Sequence, residues 1–118
     1  MATANANVKK VLNRLNQKIS SVGGVIDSWS DGNGNWWRKY SDGWLEQGGI
    51  VEGESATITF PVSYKSANYT VLAFPNSGVC GWNYIGLETK NKKTTSVAIM
   101  LDGNDNAMAS FCWFTCGF

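Results

Sequence analysis

Apolar side chains follow two regimes along this chain. Between positions 8 and 26, Val8, Leu12, Leu15, Ile19, Val22 and Ile26 recur at alternating spacings of four and three, the a/d seam of a heptad helix. Past position 29 that period is gone, and short β-branched and aromatic runs alternate with polar, glycine-containing clusters. Predicted strands occupy 36–40, 44–51, 56–60, 69–73, 84–88, 95–101 and 110–118, with turns at 52–54, 65–68, 75–78, 90–93 and 102–106. Regular short strands predict an all-β head, an antiparallel β-sandwich over residues 29–118. A short α-helical, coiled-coil-like stem over 1–28 precedes it, with residues 31–35 as a flexible joint to the first strand.

The stem holds few heptads, because Gly23 and Gly24 interrupt or end the helix. So short a helix is not stable alone and must lean on its own head or on other copies. Mixed β- and γ-branched residues along the seam, with no asparagine at an a position, are compatible with a trimer. The same spacing also fits a single amphipathic helix packed on its own domain.

The densest segment is Asn35-Trp36-Trp37-Arg38-Lys39-Tyr40-Ser41-Asp42-Gly43-Trp44-Leu45-Glu46-Gln47-Gly48-Gly49. It reads as two strands around a tight turn, with Gly43 supplying the positive-φ residue. Further on stand Ile58-Thr59-Phe60-Pro61-Val62-Ser63-Tyr64, Asn68-Tyr69-Thr70-Val71 and the aromatic end Phe111-Cys112-Trp113-Phe114-Thr115-Cys116-Gly117-Phe118. Together these motifs resemble the C-terminal (gp53-like) receptor-binding tip domain of bacteriophage tail-fibre proteins, over roughly residues 29–118. The final motif departs from the usual ending in having Thr115 for alanine and Phe118 for tyrosine, both compatible with a strand.

That resemblance implies a homotrimer at the distal tip of a virion tail fibre, made in a bacterial host cytoplasm. Its partner would be a bacterial surface glycan such as lipopolysaccharide, or another outer-membrane receptor. It tilts the stem toward a trimeric stalk. The alternatives are a structural trimerisation cap without a receptor site and a free-standing lectin, since the family's sandwich is similar to that of H-type lectins.

The last strand supports assembly independently. Phe111, Trp113 and Thr115 alternate with Cys112, Phe114, Cys116 and Phe118, so both faces are largely apolar and something must cover each. The subunit interface is expected at Val8, Leu12, Leu15, Ile19, Val22 and Ile26 of the stem and at Phe111 and Trp113 of the head. Trp36, Trp37 and Trp44 are expected in core or interface, and Trp29 as a lock between stem and head.

Composition narrows the chemistry. With 43% hydrophobic and 13% aromatic residues among 118, one small packed domain is the expectation. The net charge is +1, but residues 1–26 hold four bases and no acid, leaving six bases against nine acids in the remainder. That balance disfavours nucleic acid as a partner, and no apolar run is long enough for membrane insertion. Histidine is absent, so the usual general base and the Ser/His/Asp and Cys/His nucleophile systems are missing. Carboxylate pairs for glycoside cleavage exist at Asp42 with Glu46 and at Glu52 with Glu54; turn roles account for Asp42, Glu52 and Glu54, and a non-enzymatic binder is expected. The Asp102-Gly103-Asn104-Asp105-Asn106 run has the oxygen donors of a calcium loop without its downstream glutamate and reads as a polar hairpin loop, so no metal or other cofactor is expected. Cys112 and Cys116, about 13 Å apart on one face of a strand, are too distant for a disulfide, and Cys80 is expected to be free as well. Sugar binding asks for an aromatic platform beside amides and carboxylates, which points to Asn76, Trp82, Asn83 and Tyr84 in one loop and to Asn104 and Asp105 in another.

Overall fold

The computed structural model describes residues 2–21, 24–78, 85–103 and 108–118. A helix, α1 (Ala2–Ser21), is followed by eight strands: β1 (Val25–Ser30), β2 (Trp36–Tyr40), β3 (Leu45–Glu52), β4 (Ser55–Thr59), β5 (Thr70–Gly78), β6 (Ile85–Lys90), β7 (Ser96–Gly103) and β8 (Met108–Gly117). They form a five-stranded sheet in the order β1-β2-β3-β8-β5 and a three-stranded sheet in the order β4-β7-β6. Every pairing is antiparallel.

All seven predicted strands exist, six of them within two residues at each end and the fourth running five residues further than expected, and an eighth, β1, was missed. Ile26, expected on the helical seam, lies in β1, and position 28, expected as the boundary between stem and head, falls inside that strand. The heptad spacing runs on across the glycines by coincidence. Val25 and Ile26 instead open a β-branched segment that pairs with β2, with Trp29 opposite Trp37. Residues 31–35 are therefore a hairpin turn rather than a flexible joint. Asp31 Oδ1 accepts the Asn33 and Asn35 amides at 2.7 and 3.1 Å, and its Oδ2 accepts the Asn35 side-chain amide at 2.7 Å. These bonds, the Asn35 side chain foremost, hold the Asp31 carboxyl below its ordinary range. Residues 75–78, read as a turn, extend β5. Pro75 is tolerated because β5 is an edge strand whose register shifts between Pro75 and Ser77.

The second hairpin is as the sequence predicted. Gly43 has φ +93°, Gly43 N–H donates to the Tyr40 carbonyl at 3.0 Å, and Asp42 Oδ1 accepts the Trp44 amide at 2.9 Å.

Both sheets feed one core. Leu45, Ala73, Phe111 and Trp113 come from the larger sheet and Ile58, Val97, Ile99 and Leu101 from the smaller, while the crossing segment between β4 and β5 contributes Phe60, Tyr64 and Tyr69. Phe60 sits edge-on to Tyr64 and Tyr69, with centroids 5.3 and 5.1 Å away, and those two rings stack on each other at 4.5 Å. Each buried phenol has a partner: Tyr64 hydroxyl shares a 2.7 Å hydrogen bond with Thr115 Oγ1, and Tyr69 hydroxyl donates to the Lys93 carbonyl at 2.8 Å.

Gln47 fastens this crossing segment to the larger sheet. The residue is fully buried in β3, its Nε2 donates to the Val62 carbonyl at 2.7 Å, and its Oε1 accepts the Val62 amide at 2.9 Å. One primary amide thus closes both backbone groups of a residue that has left regular structure.

Two outcomes follow from this packing. Gln47→Leu, close in volume but unable to hydrogen-bond, leaves both Val62 groups unpaired and lowers stability by roughly 2–5 kcal/mol, or about 8–20 °C in Tm by calorimetry. Burial pushes the Tyr64 and Tyr69 phenols above the ordinary value, so the folded state holds those protons more tightly than the unfolded chain. Their contribution is complete below pH ~10 and is lost as pH rises through the raised folded values. Denaturant midpoints measured from pH 8 to 12 should fall at the alkaline end, and less steeply in Tyr64→Phe.

Candidate interaction surface

The faces of β8 divide the molecule's chemistry. Phe111, Trp113 and Thr115 point into the core, and all three are buried. Phe111 and Trp113, expected at a subunit interface, are thus covered within the protomer, because the smaller sheet packs over that side. Register puts the alternate residues together on the opposite, outer face: Ile50, Cys112 and Phe74 in one row, Gly48, Phe114 and Leu72 in the next, and Glu46, Cys116 and Thr70 in a third. Phe74 is 62% exposed, Leu72 42% and Ile50 38%. This is a contiguous apolar face open to solvent, of the kind that marks an interaction surface.

Paired glycines let large rings lie on both sides of β3. An added Cβ at Gly48 would sit 2.8 Å from Trp36 Nε1 on the outer face, and one at Gly49 would sit 2.7 Å from Trp113 Nε1 on the inner. Trp36 crosses the strand at this gap and meets Phe114 with centroids 6.0 Å apart. The outer face thereby continues without a step from β8 to β2.

Beyond the apolar rows, β2 and β3 add a polar corner. Tyr40 hydroxyl donates to Glu46 Oε2 at 3.1 Å, and the Trp44 indole N–H donates to Glu46 Oε1 at 3.2 Å. The Glu46 carboxylate in turn raises the Tyr40 phenol. Trp44 also meets Phe118 edge-on at 5.2 Å. Of the carboxylates weighed for glycoside cleavage, Asp42 caps the hairpin turn and Glu46 organises this corner.

The stem presents a second unpartnered stripe. Residues 5–18 of α1 are exposed throughout, and Val8, Leu12 and Leu15 are each more than half exposed, with Val11 beside them. No helix among the described residues is long and apolar enough to cross a membrane. The helix ends at Ser21, so Val22 lies outside the described residues; the side chain of Ile19 lies outside them too.

Of the expected receptor residues, Asn76 is exposed on β5, where its amide donates to Ser110 Oγ at 3.1 Å and accepts from Cys112 Sγ at 3.3 Å. Trp82, Asn83, Tyr84, Asn104 and Asp105 lie outside the described residues, as does Cys80. Cys112 and Cys116 are free thiols on the outer face; burial, aided by Glu46, pushes the Cys116 thiol up. Among the described residues no group of three or more acidic or cysteine side chains is placed to hold a metal ion.

On the inner side, opposite the apolar face, a cleft of about 330 Å³ opens where the larger sheet outreaches the smaller. Trp29 of β1 and Asn35 form one wall, Thr57, Thr59 and Pro61 the other, and Val51, Ile58 and Trp113 the floor. Trp29 is 46% exposed. Its expected role as a lock on the stem gave no hint of this cleft, because the pairing of β1 with β2 creates the wall.

No protein-family model matches the sequence, and no curated protein matches it closely enough to count as a relative. Solved structures do resemble it. An N-truncated R2-type pyocin tail fibre superimposes over 84% of this chain and 41% of its own, at TM-score 0.60 and 21% identity. A C-terminal piece of the P. aeruginosa R2 pyocin fibre gives TM-score 0.61 over 84% of this chain and 28% of its own, also at 21% identity. An N-truncated R1-type pyocin tail fibre gives 0.53 at 16% identity, covering 86% and 94%. The chain thus spans less than half the length of the R2 fibres it resembles, and it shares with these tail-fibre segments a mostly antiparallel β fold.

Proposed function

We propose that this chain is the distal tip of a phage or phage-like tail fibre, a non-enzymatic homotrimer whose antiparallel β-sandwich heads attach the particle to a bacterial surface glycan, such as lipopolysaccharide, or to another outer-membrane receptor. The observation that carries this reading is the coincidence, in one protomer, of an apolar outer sheet face and an apolar helical stripe, both uncovered. In a monomer each would stay wet. Threefold assembly sets copies of both against one another and removes them from water together. The likeness to pyocin tail fibres supports this reading at the level of fold.

The head contacts of that trimer are Ile50, Leu72, Phe74, Cys112 and Phe114, while Phe111 and Trp113 stay buried inside each protomer, and Val8, Leu12 and Leu15 are its contacts along the stem. Three receptor sites on one rigid head then gain by avidity on a dense surface, so that weak individual sites suffice.

Sedimentation equilibrium at micromolar concentration should give about three times the 12.9 kDa chain mass. Leu72→Glu with Phe74→Asp, both at exposed positions, should shift the protein to folded monomer. A stable wild-type monomer would overturn the interface. Labelled trimer should bind strains from a bacterial panel and be competed by their purified surface polysaccharide; binding to none of a wide panel would leave a structural cap as the reading.

A further inference from the structure

We infer that the inner cleft between Trp29 and β4 is a subsite for an uncharged saccharide, a reading that rests on the proposed attachment to bacterial surface glycan. Its residues divide as a sugar ring does. Trp29 presents a half-exposed indole, and Trp113 and Pro61 add apolar surface, which suits the C–H faces of a pyranose. Thr57 and Thr59 line the cleft from β4, an edge strand, and are exposed, with hydroxyls that both donate and accept.

Charge selects among ligands. None of the described lining residues is ionisable, so none of them pairs with a phosphate or a carboxylate sugar, and a neutral hexose unit fits the cleft better. Its volume of about 330 Å³ is at the small end of ligand clefts, enough for the end of a glycan rather than a long chain.

Position separates this cleft from the assembly surface. Trp29 stands in register with Trp37, and Trp37 with Gln47, on the core side of the larger sheet. Ile50, Leu72 and Phe74 project from the other side. Copies joined through the outer face therefore leave the cleft open.

The cleft is also built rather than incidental. Asn35 is fixed by its bond to Asp31 Oδ2 at 2.7 Å and reaches the Ile50 amide at 3.4 Å. Gly49 keeps room for both Asn35 and Trp113, since a Cβ there would collide with Asn35 Oδ1 and stand 2.7 Å from Trp113 Nε1.

The test uses the full chain and the neutral O-polysaccharide of a strain that it binds, followed by calorimetry and by tryptophan fluorescence. Trp29→Ala should weaken polysaccharide binding about tenfold, Trp29→Tyr should retain most of it, and Thr59→Arg, which fills the mouth from an exposed position, should abolish it. All three should keep the wild-type sedimentation profile. Unchanged affinity in both Trp29→Ala and Thr59→Arg would overturn the cleft while leaving attachment intact. A Trp29→Ala protein that dissociates would overturn it by making Trp29 a contact between copies. Failure of wild type to bind any strain would instead overturn the attachment reading, and the cleft with it.

Discussion

Gln47 is the interaction on which the rest of the molecule depends. Its side-chain amide, wholly buried, takes the place that a neighbouring strand would fill for Val62 and so anchors the segment that carries Phe60, Tyr64 and Tyr69 across from one sheet to the other. A buried amide with only one bond made would weaken the core, but here the two groups of Gln47 meet the two groups of one residue. The three rings delivered this way pack on one another in the core between the two sheets.

The same strand then governs what the outside does. Immediately after Gln47, Gly48 and Gly49 remove side chains from consecutive positions on opposite faces of β3, and an indole occupies each gap. On the inner face Trp113 completes the core and floors the cleft. On the outer face Trp36 bridges to Phe114 and makes one apolar surface of what would have been two strips. A buried clamp and two missing side chains over three residues thus set the core, the apolar outer face and the inner cleft at once.

Much of the fold was legible in the chain, and the limits are instructive. Alternation of apolar and polar positions located seven strands, and Asp42-Gly43 fixed its hairpin, because both signals are local. The heptad spacing misled at Ile26, where a period continued across a glycine pair into a strand; only the partner β2 decides that segment. Pro75 likewise read as a turn until β5 proved to be an edge strand. As for the site, the two apolar faces of β8 were visible from alternation, but Phe111 and Trp113 were assigned to the exposed one. Alternation says that two faces exist and is silent on which meets the smaller sheet.

What the sequence determined by itself was the seven strands after residue 35, the helical stripe, the aromatic and glycine-rich tract, and the absence of histidine chemistry, all properties of residue type and near-neighbour spacing. The order of strands, the choice of face covered by the smaller sheet, and the convergence of Trp29 with Thr57 and Thr59 were decided only by tertiary structure. The reason is physical: a strand's period of two is symmetric between its faces, and that symmetry is broken only when another sheet buries one of them.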